Sequence, residues 1–213
     1  VLTQMQEQRA LEPAEGGAGF VPGEDETGLP LPPSEPIVIT ALAGTGQDRF
    51  NRHMARASRM MRNGRYYDAA GEYEYAAILN PSNPLAQAGQ GLAYFGAGEP
   101  VTAAHRIMRA LRLFPPLMET RIAVTALVGE KVYQARLDAL HEMLATDFGS
   151  RQKTLLLLAT FLHHNAGDCE QAEKWAARLM ELTLRDKLLN TYAKYVLRGP
   201  APEEPEPGRT APR

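Results

Sequence analysis

Three stretches of the chain collect side chains that could do chemistry. The first is "HHNAGDC", His163–Cys169, which gathers metal-ligand types. Adjacent histidines on a helix point about 100° apart, so His163 and His164 rarely meet on one ion. No Cys-x-x-Cys or His-Glu-x-x-His accompanies them, and His141-Glu142 lacks its second histidine. The stretch reads as a helix end and a turn, with Asp168 capping the next helix. The second is "ITALAGTGQDRF", Ile39–Phe50, a β-like run followed by glycines and a helix start. A phosphate loop needs Gly-Lys-Ser/Thr there, yet Gly46 is followed by Gln47 and Asp48. A dinucleotide fingerprint needs a third small residue where Arg49 stands. Asp48 would repel phosphate and suits an ordinary N-cap.

The third is a row of arginines. Arg49, Arg52, Arg56, Arg59 and Arg62 step by three or four, which sets them in one stripe on a helix. Such a stripe is a solvated outer face, or a seat for an acidic segment, either the chain's own Glu24-Asp25-Glu26 or a partner's. Nucleic acid fits it poorly, because interleaved aromatics for base stacking are missing. No Ser-His-Asp or Cys-His arrangement can be assembled, because the candidates fall on helices with no loop to position them. The expectation is therefore a protein that is not an enzyme, with no catalytic, cofactor-binding or metal-binding residues.

The elements that would carry these residues are set by composition. The chain has 213 residues and a net charge of −2, which fits one domain, or one domain with tails, and gives no global argument for nucleic acid or membrane. One cysteine, Cys169, excludes an intrachain disulfide and leaves the compartment open. The longest apolar run, Leu155–Leu162, is far short of the ~20 residues of a membrane span. The first residue is Val1, not Met, so removal of an upstream segment is expected. Charge is uneven: residues 1–47 hold seven acids and one Arg, whereas residues 48–198 hold 20 basic and 15 acidic side chains. An acidic arm precedes a mildly basic body.

Residues 1–47 alternate Gly and Pro and read as an extended arm with scattered apolar residues, Phe20, Val21, Leu29, Leu31 and "PIVIT" at Pro36–Thr40. Only Ile37–Thr40 could be a strand. Residues 199–213, "GPAPEEPEPGRTAPR", read as a short disordered tail. Between them, residues 48–198 are helical almost throughout, in about nine segments broken by Gly, Asn and Pro; Leu117–Val128 is read as one of them.

Two consecutive segments share a pattern. Gly64, Ala69, Tyr73, Ala76 and Pro81 recur 34 residues later as Gly98, Ala103, Ile107, Ala110 and Pro115. Ala57 and Met60 recur as Gly91 and Tyr94. This period and these residues resemble the tetratricopeptide repeat family, a helix–turn–helix unit. Gly64 and Gly98 would close the turn within a hairpin. Ala69 and Ala103 would let the helices cross closely, with Tyr73 and Ile107 filling the space beside them. Ala76 and Ala110 would let the next unit stack, and Pro81 and Pro115 would end each unit. Clear repeats cover about residues 50–83 and 84–117. A diverged hairpin is expected at about 118–152, where Val132 and Leu137 replace Gly and Ala. Another is expected at 153–186, with Gly167 and Ala172 offset by one, and a closing helix at 185–197.

The resemblance implies an all-α, right-handed solenoid whose concave groove takes a peptide or a helix of another protein. The groove-lining positions would be Asn51, Met54, Ser58, Met61 and Arg62, then Leu85, Ala88, Leu92 and Phe95, then Ile122 and Ala126. Family members that clamp chaperone carboxylates place Lys and Asn along this face; Met54 and Ser58 stand there instead. Met54, Met61 and Phe95 suit an apolar strand or helix, unless they pack under neighbouring helices or the arm. The expected function is a non-catalytic interaction scaffold. The alternatives are a regulatory or accessory domain of a larger enzyme or cell-envelope complex, or a homo-oligomeric subunit joined by arm exchange.

Overall fold

Capping side chains and turn glycines divide the body into helices. A computed structural model describes residues 37–146, 149 and 151–198. Most of the expected arm, with Glu24-Asp25-Glu26, and the tail at 199–213 lie outside the described residues. The architecture is all-α. Helix α1 (Arg49–Arg62) starts at Asp48, whose carboxylate accepts the Asn51 backbone N–H at 2.8 Å. Helix α2 (Tyr66–Leu79) follows, then α3 (Pro84–Ala97), capped by the Asn83 side chain with Pro84 in its first turn, and α4 (Pro100–Leu113).

The turns of these hairpins repeat in atomic detail. Gly64 N–H donates to Met61 and Arg65 N–H to Met60; 34 residues on, Gly98 N–H donates to Phe95 and Glu99 N–H to Tyr94. The same pair recurs where Gly167 donates to His164 and Asp168 to His163, between α7 (Gln152–Ala166) and α8 (Cys169–Leu182). All three glycines sit at positive φ, 72°, 91° and 82°, where a Cβ would be strained. Ala69, Tyr73 and Ala76 are buried on α2, Ala103, Ile107 and Ala110 on α4, and Ala172, Ala176 and Leu179 on α8. A small residue thus stands at the start of each buried row, and the helices approach closely over it.

The region expected as a regular third hairpin differs. Residues Leu117–Val128 are not one helix. Pro115–Glu119 forms a 3₁₀ turn, Arg121–Ile122 is a short strand β2, and α5 is only Val124–Val128. Pro115 and Pro116 lack the N–H groups a continuing α-helix needs, which starts the departure. The turn falls at Gly129 rather than Val132, with φ 91° and ψ 126°, outside the left-handed cap of Gly98 and Gly167. A long α6 (Glu130–Thr146) follows.

This shortened hairpin does not continue the row. Helix α4 packs directly on α7, while α5 lies against α1 and α3, and α6 touches α3 and α7. Helix α9 (Lys187–Arg198) packs on α8 and α7. The end of the expected arm also belongs to the body. Strand β1 (Val38–Ile39) pairs in parallel with β2, Val38 opposite Arg121 and Ile39 opposite Ile122. Leu42 beyond it is buried. Residues 37–42, at the end of the expected arm, are thus held by the ladder and by Leu42.

Candidate functional site

The inner faces of α1 and α3 carry the residues expected to line a groove, and the structure buries most of them. Met54, Met61, Ala88, Leu92, Phe95 and Ile122 are core residues. Asn51, Ser58 and Leu85 are partly covered, and Arg62 and Ala126 are exposed. The cover is the chain itself. The Phe95 and Tyr133 rings meet edge-on at 5.9 Å. Tyr66 Oη–H donates to the Val128 carbonyl at 2.7 Å, and Arg136 Nε–H donates to the Gly96 carbonyl at 3.1 Å. Asn165 fastens the ribbon to α7: its Oδ1 accepts the Ile122 N–H at 2.6 Å and its Nδ2 donates to Phe161. Apolar inner positions fit a docked occupant, and α5 and α6 are that occupant. Asn51 has a different task, since its Oδ1 accepts the Gly44 N–H at 3.0 Å and ties residues 44–46 to the start of α1.

One part of the inner face stays open. A cleft of about 560 Å³ lies between the end of α1 and the α5–α6 turn, lined by Met61, Arg62, Tyr66, Ala126, Leu127 and Val128 among others. Its floor is apolar. Arg62 and Lys131 stand at its border with Glu130. Three expected groove residues, Met61, Arg62 and Ala126, thus line this cleft, brought together by the α5–α6 hairpin. Sequence reasoning missed Leu127 and Val128, because a regular helix over 117–128 was expected to place them elsewhere.

The arginine stripe is present. Arg49, Arg52, Arg56, Arg59 and Arg62 are all exposed on α1, opposite buried Met54, Ala57 and Met61. Arg56 pairs with Glu72 at 3.2 Å, and His53 Nδ1 lies 2.7 Å from the other oxygen of that carboxylate. Burial pushes the Glu72 carboxyl up, but the His53 and Arg56 contacts outweigh it and hold the group below its usual range.

The histidine cluster resolves into a hydrogen-bonded chain. Asp168 Oδ2 accepts the proton of His163 Nδ1 at 3.0 Å, so His163 Nε2 is an acceptor. His141 Nε2–H donates to it at 3.0 Å, with the two ring planes within 3° of parallel. Head-to-head nitrogens share a proton; their lone pairs do not converge on a third point as a chelate requires. His164 points elsewhere, edge-on to Tyr192 and Tyr195. No group of three His, Cys, Asp or Glu side chains able to hold a metal occurs among the described residues. Trp175 stacks on His141 at 5.2 Å, with Lys174 and Arg178 over its indole. The chain joins α6, α7 and the start of α8.

Burial lowers His163 against the opposing pull of Asp168, and burial together with the neighbouring His163 lowers His141; burial and Arg121 lower His164. A histidine lowered in the fold binds fewer protons there than when unfolded, so its stabilising contribution is complete above the ordinary histidine value of about 6.5 and is lost as pH falls below it. The melting temperature is expected to fall between pH 7.5 and pH 5. His141→Phe keeps the ring against Trp175 and should flatten that fall; an unchanged slope would show that the pair does not carry it.

Gln87 and Gln90, buried on α3, have side-chain amide atoms without a hydrogen-bond partner among the described residues. No described helix is long and apolar enough to cross a membrane. Comparison with family models, curated proteins and solved structures returns no match for this chain.

Proposed function

We propose that this chain is a non-catalytic protein-interaction module built on a tetratricopeptide-like solenoid, in which an inserted hairpin narrows the groove to one short binding cleft. The observation that carries the reading is that cleft, an open apolar floor made by Met61, Tyr66, Leu127 and Val128 with Arg62 at its edge. Supporting it is the recurrence of the same turn hydrogen bonds at Gly64, Gly98 and Gly167, as expected of a repeated unit. A short apolar segment of a partner protein, flanked by an acidic residue for Arg62 or Lys131, fits this surface. No cofactor and no nucleic acid enter the proposal.

The test fills the cleft without touching the core. Ala126 is exposed, so Ala126→Arg should leave the unfolding free energy within about 0.5 kcal/mol of the parent. It should remove, about tenfold or more, the proteins captured by the parent chain, a loss of at least about 1.4 kcal/mol. Equal capture of every partner by parent and variant would overturn the cleft as the binding surface.

A further inference from the structure

We propose that the outer face of the α1–α2 hairpin docks an amphipathic helix of a partner protein, one that carries acidic residues beside an apolar stripe. The inference is independent of the cleft reading and uses none of the residues that line the cleft. Two observations meet on this face, one of charge and one of apolar exposure. The sequence of α1, RFNRHMARASRMMR, contains no acid. Arg49, Arg52, Arg56 and Arg59 are exposed along it, on a helix about 20 Å long. Of these four only Arg56 has an ion-pair partner among the described residues, Glu72 of α2, and that carboxylate is shared with His53. Like charges spaced three and four apart on a helix repel, and a row of carboxylates laid against them would turn repulsion into attraction.

Beside the arginines runs an apolar ridge on α2. Tyr75, Ile78 and Leu79 are 59%, 67% and 47% exposed. The contacts fix the register of the two antiparallel helices: the His53 and Tyr75 ring centroids lie 5.6 Å apart, and one turn further along α1 Arg56 meets Glu72. Continued one turn the other way, that register sets Leu79 level with Arg49. Leu79 follows Tyr75 by four residues and Glu72 by seven, so all three share the flank of α2 that faces α1. An arginine ridge and an apolar ridge thus run side by side. A helix laid along them would meet one with carboxylates and the other with apolar side chains. A unit that ends a helical stack in water is polar over its free face; Tyr75, Ile78 and Leu79 depart from that and mark a face that is covered.

Other occupants fit less well. A second copy meeting this face with its own would set arginine against arginine. Nucleic acid would find the arginines, but its phosphate backbone has nothing to offer Ile78 and Leu79, and base-stacking rings between the arginines are missing. Phe50 is partly buried against the core, and His53 is turned to Glu72 and Tyr75. A carboxylate suits the site better, since α1 holds arginine and no lysine, and the planar guanidinium grips a carboxylate through two parallel hydrogen bonds.

The experiment titrates the full chain into a fluorescein-labelled helical peptide of about 18 residues, long enough to hold its helix, with leucines along one stripe and glutamates beside it. The controls are a peptide of the same residues in scrambled order and one with lysine in place of every glutamate. By fluorescence anisotropy the acidic amphipathic peptide is expected to bind at least about tenfold more tightly than either control, a difference of about 1.4 kcal/mol. Arg49→Glu with Arg52→Glu, and separately Tyr75→Ser with Leu79→Ser, should each weaken it about tenfold, once circular dichroism has shown the helical content unchanged. Ala126→Arg, in the cleft, should leave it as it is. Equal binding of the peptide and its controls, no binding, or a loss produced by Ala126→Arg and by neither surface pair would overturn the proposal. Tighter binding to vesicles containing phosphatidylserine, or to a labelled oligonucleotide, abolished by Arg49→Glu with Arg52→Glu, would assign the face to a membrane or to nucleic acid and overturn it. So would a tenfold gain in peptide affinity when the six acids of residues 1–34 are replaced by amides, which would make the chain its own occupant.

Discussion

Tyr73→Ala is expected to lower the unfolding free energy by about 3–5 kcal/mol, the range for deleting a fully buried aromatic ring. Tyr73 has no exposed surface, and its ring fills the space above Gly89, where a built Cβ would lie 2.6 Å from Tyr73 Cε1 and 2.9 Å from Leu42 Cδ1. The ring therefore joins three parts of the molecule: α2, α3 and the segment after β1. Its hydroxyl lies 3.4 Å from Ser58 Oγ. Removing the ring leaves a cavity between helices whose backbones are already close, so little collapse is available to close it. The check is chemical denaturation of parent and variant with a common slope. A loss under about 1 kcal/mol would mean that the site repacks, contrary to a close contact set by glycine on one helix and a ring on the other.

Ala103→Leu is the second. It is expected to cost about 1–3 kcal/mol by overpacking. Ala103 is fully buried on α4, and its carbonyl would lie 3.1 Å from a Cβ built on Gly91 of α3, with Ile107 Cδ1 at 2.9 Å. Helices α3 and α4 are thus already close at this point, and backbone cannot rotate out of the way as a side-chain tip can, so a larger buried side chain on α4 has to push its neighbours apart. Ala69→Leu, one period earlier, should behave alike on α2. An unchanged melting temperature in both would count against the repeat register.

These two effects lie where the chain can be read from its residues. Gly64, Ala69 and Tyr73 state a turn, a close crossing and a filler in their own side-chain sizes, and the next period repeats the statement. Cys169–Leu182 is bounded by Asp168 as cap and Thr183 beyond, and both ends are local. The third hairpin was not legible, because Leu117, Met118, Ile122, Val124 and Val128 are apolar at spacings that suit a helix as well as they suit a turn, a two-residue strand and a short helix. What decides among these is contact with Asn165, Val38 and Ile39, residues far away in the sequence. The groove failed to show itself as filled for a related reason. Met54, Leu92 and Phe95 would be the same residues whether their cover were a partner or the chain's own α5 and α6; apolarity reports that a face is covered, not by what.

The parallel ribbon has a consequence for the order in which the molecule assembles. Ile39 and Ile122 meet across 83 residues of sequence, whereas each α-hairpin closes over a few. Closing so long a loop costs chain entropy before two short strands return any of it. The hairpins at Gly64 and Gly98 must therefore form first and present a surface, and the N-terminal strand must come to it last. In a chain made from its N-terminus, residues 37–42 emerge early and wait for β2 and α7. During that interval the inner faces of α1 and α3 lack the cover that later becomes their own.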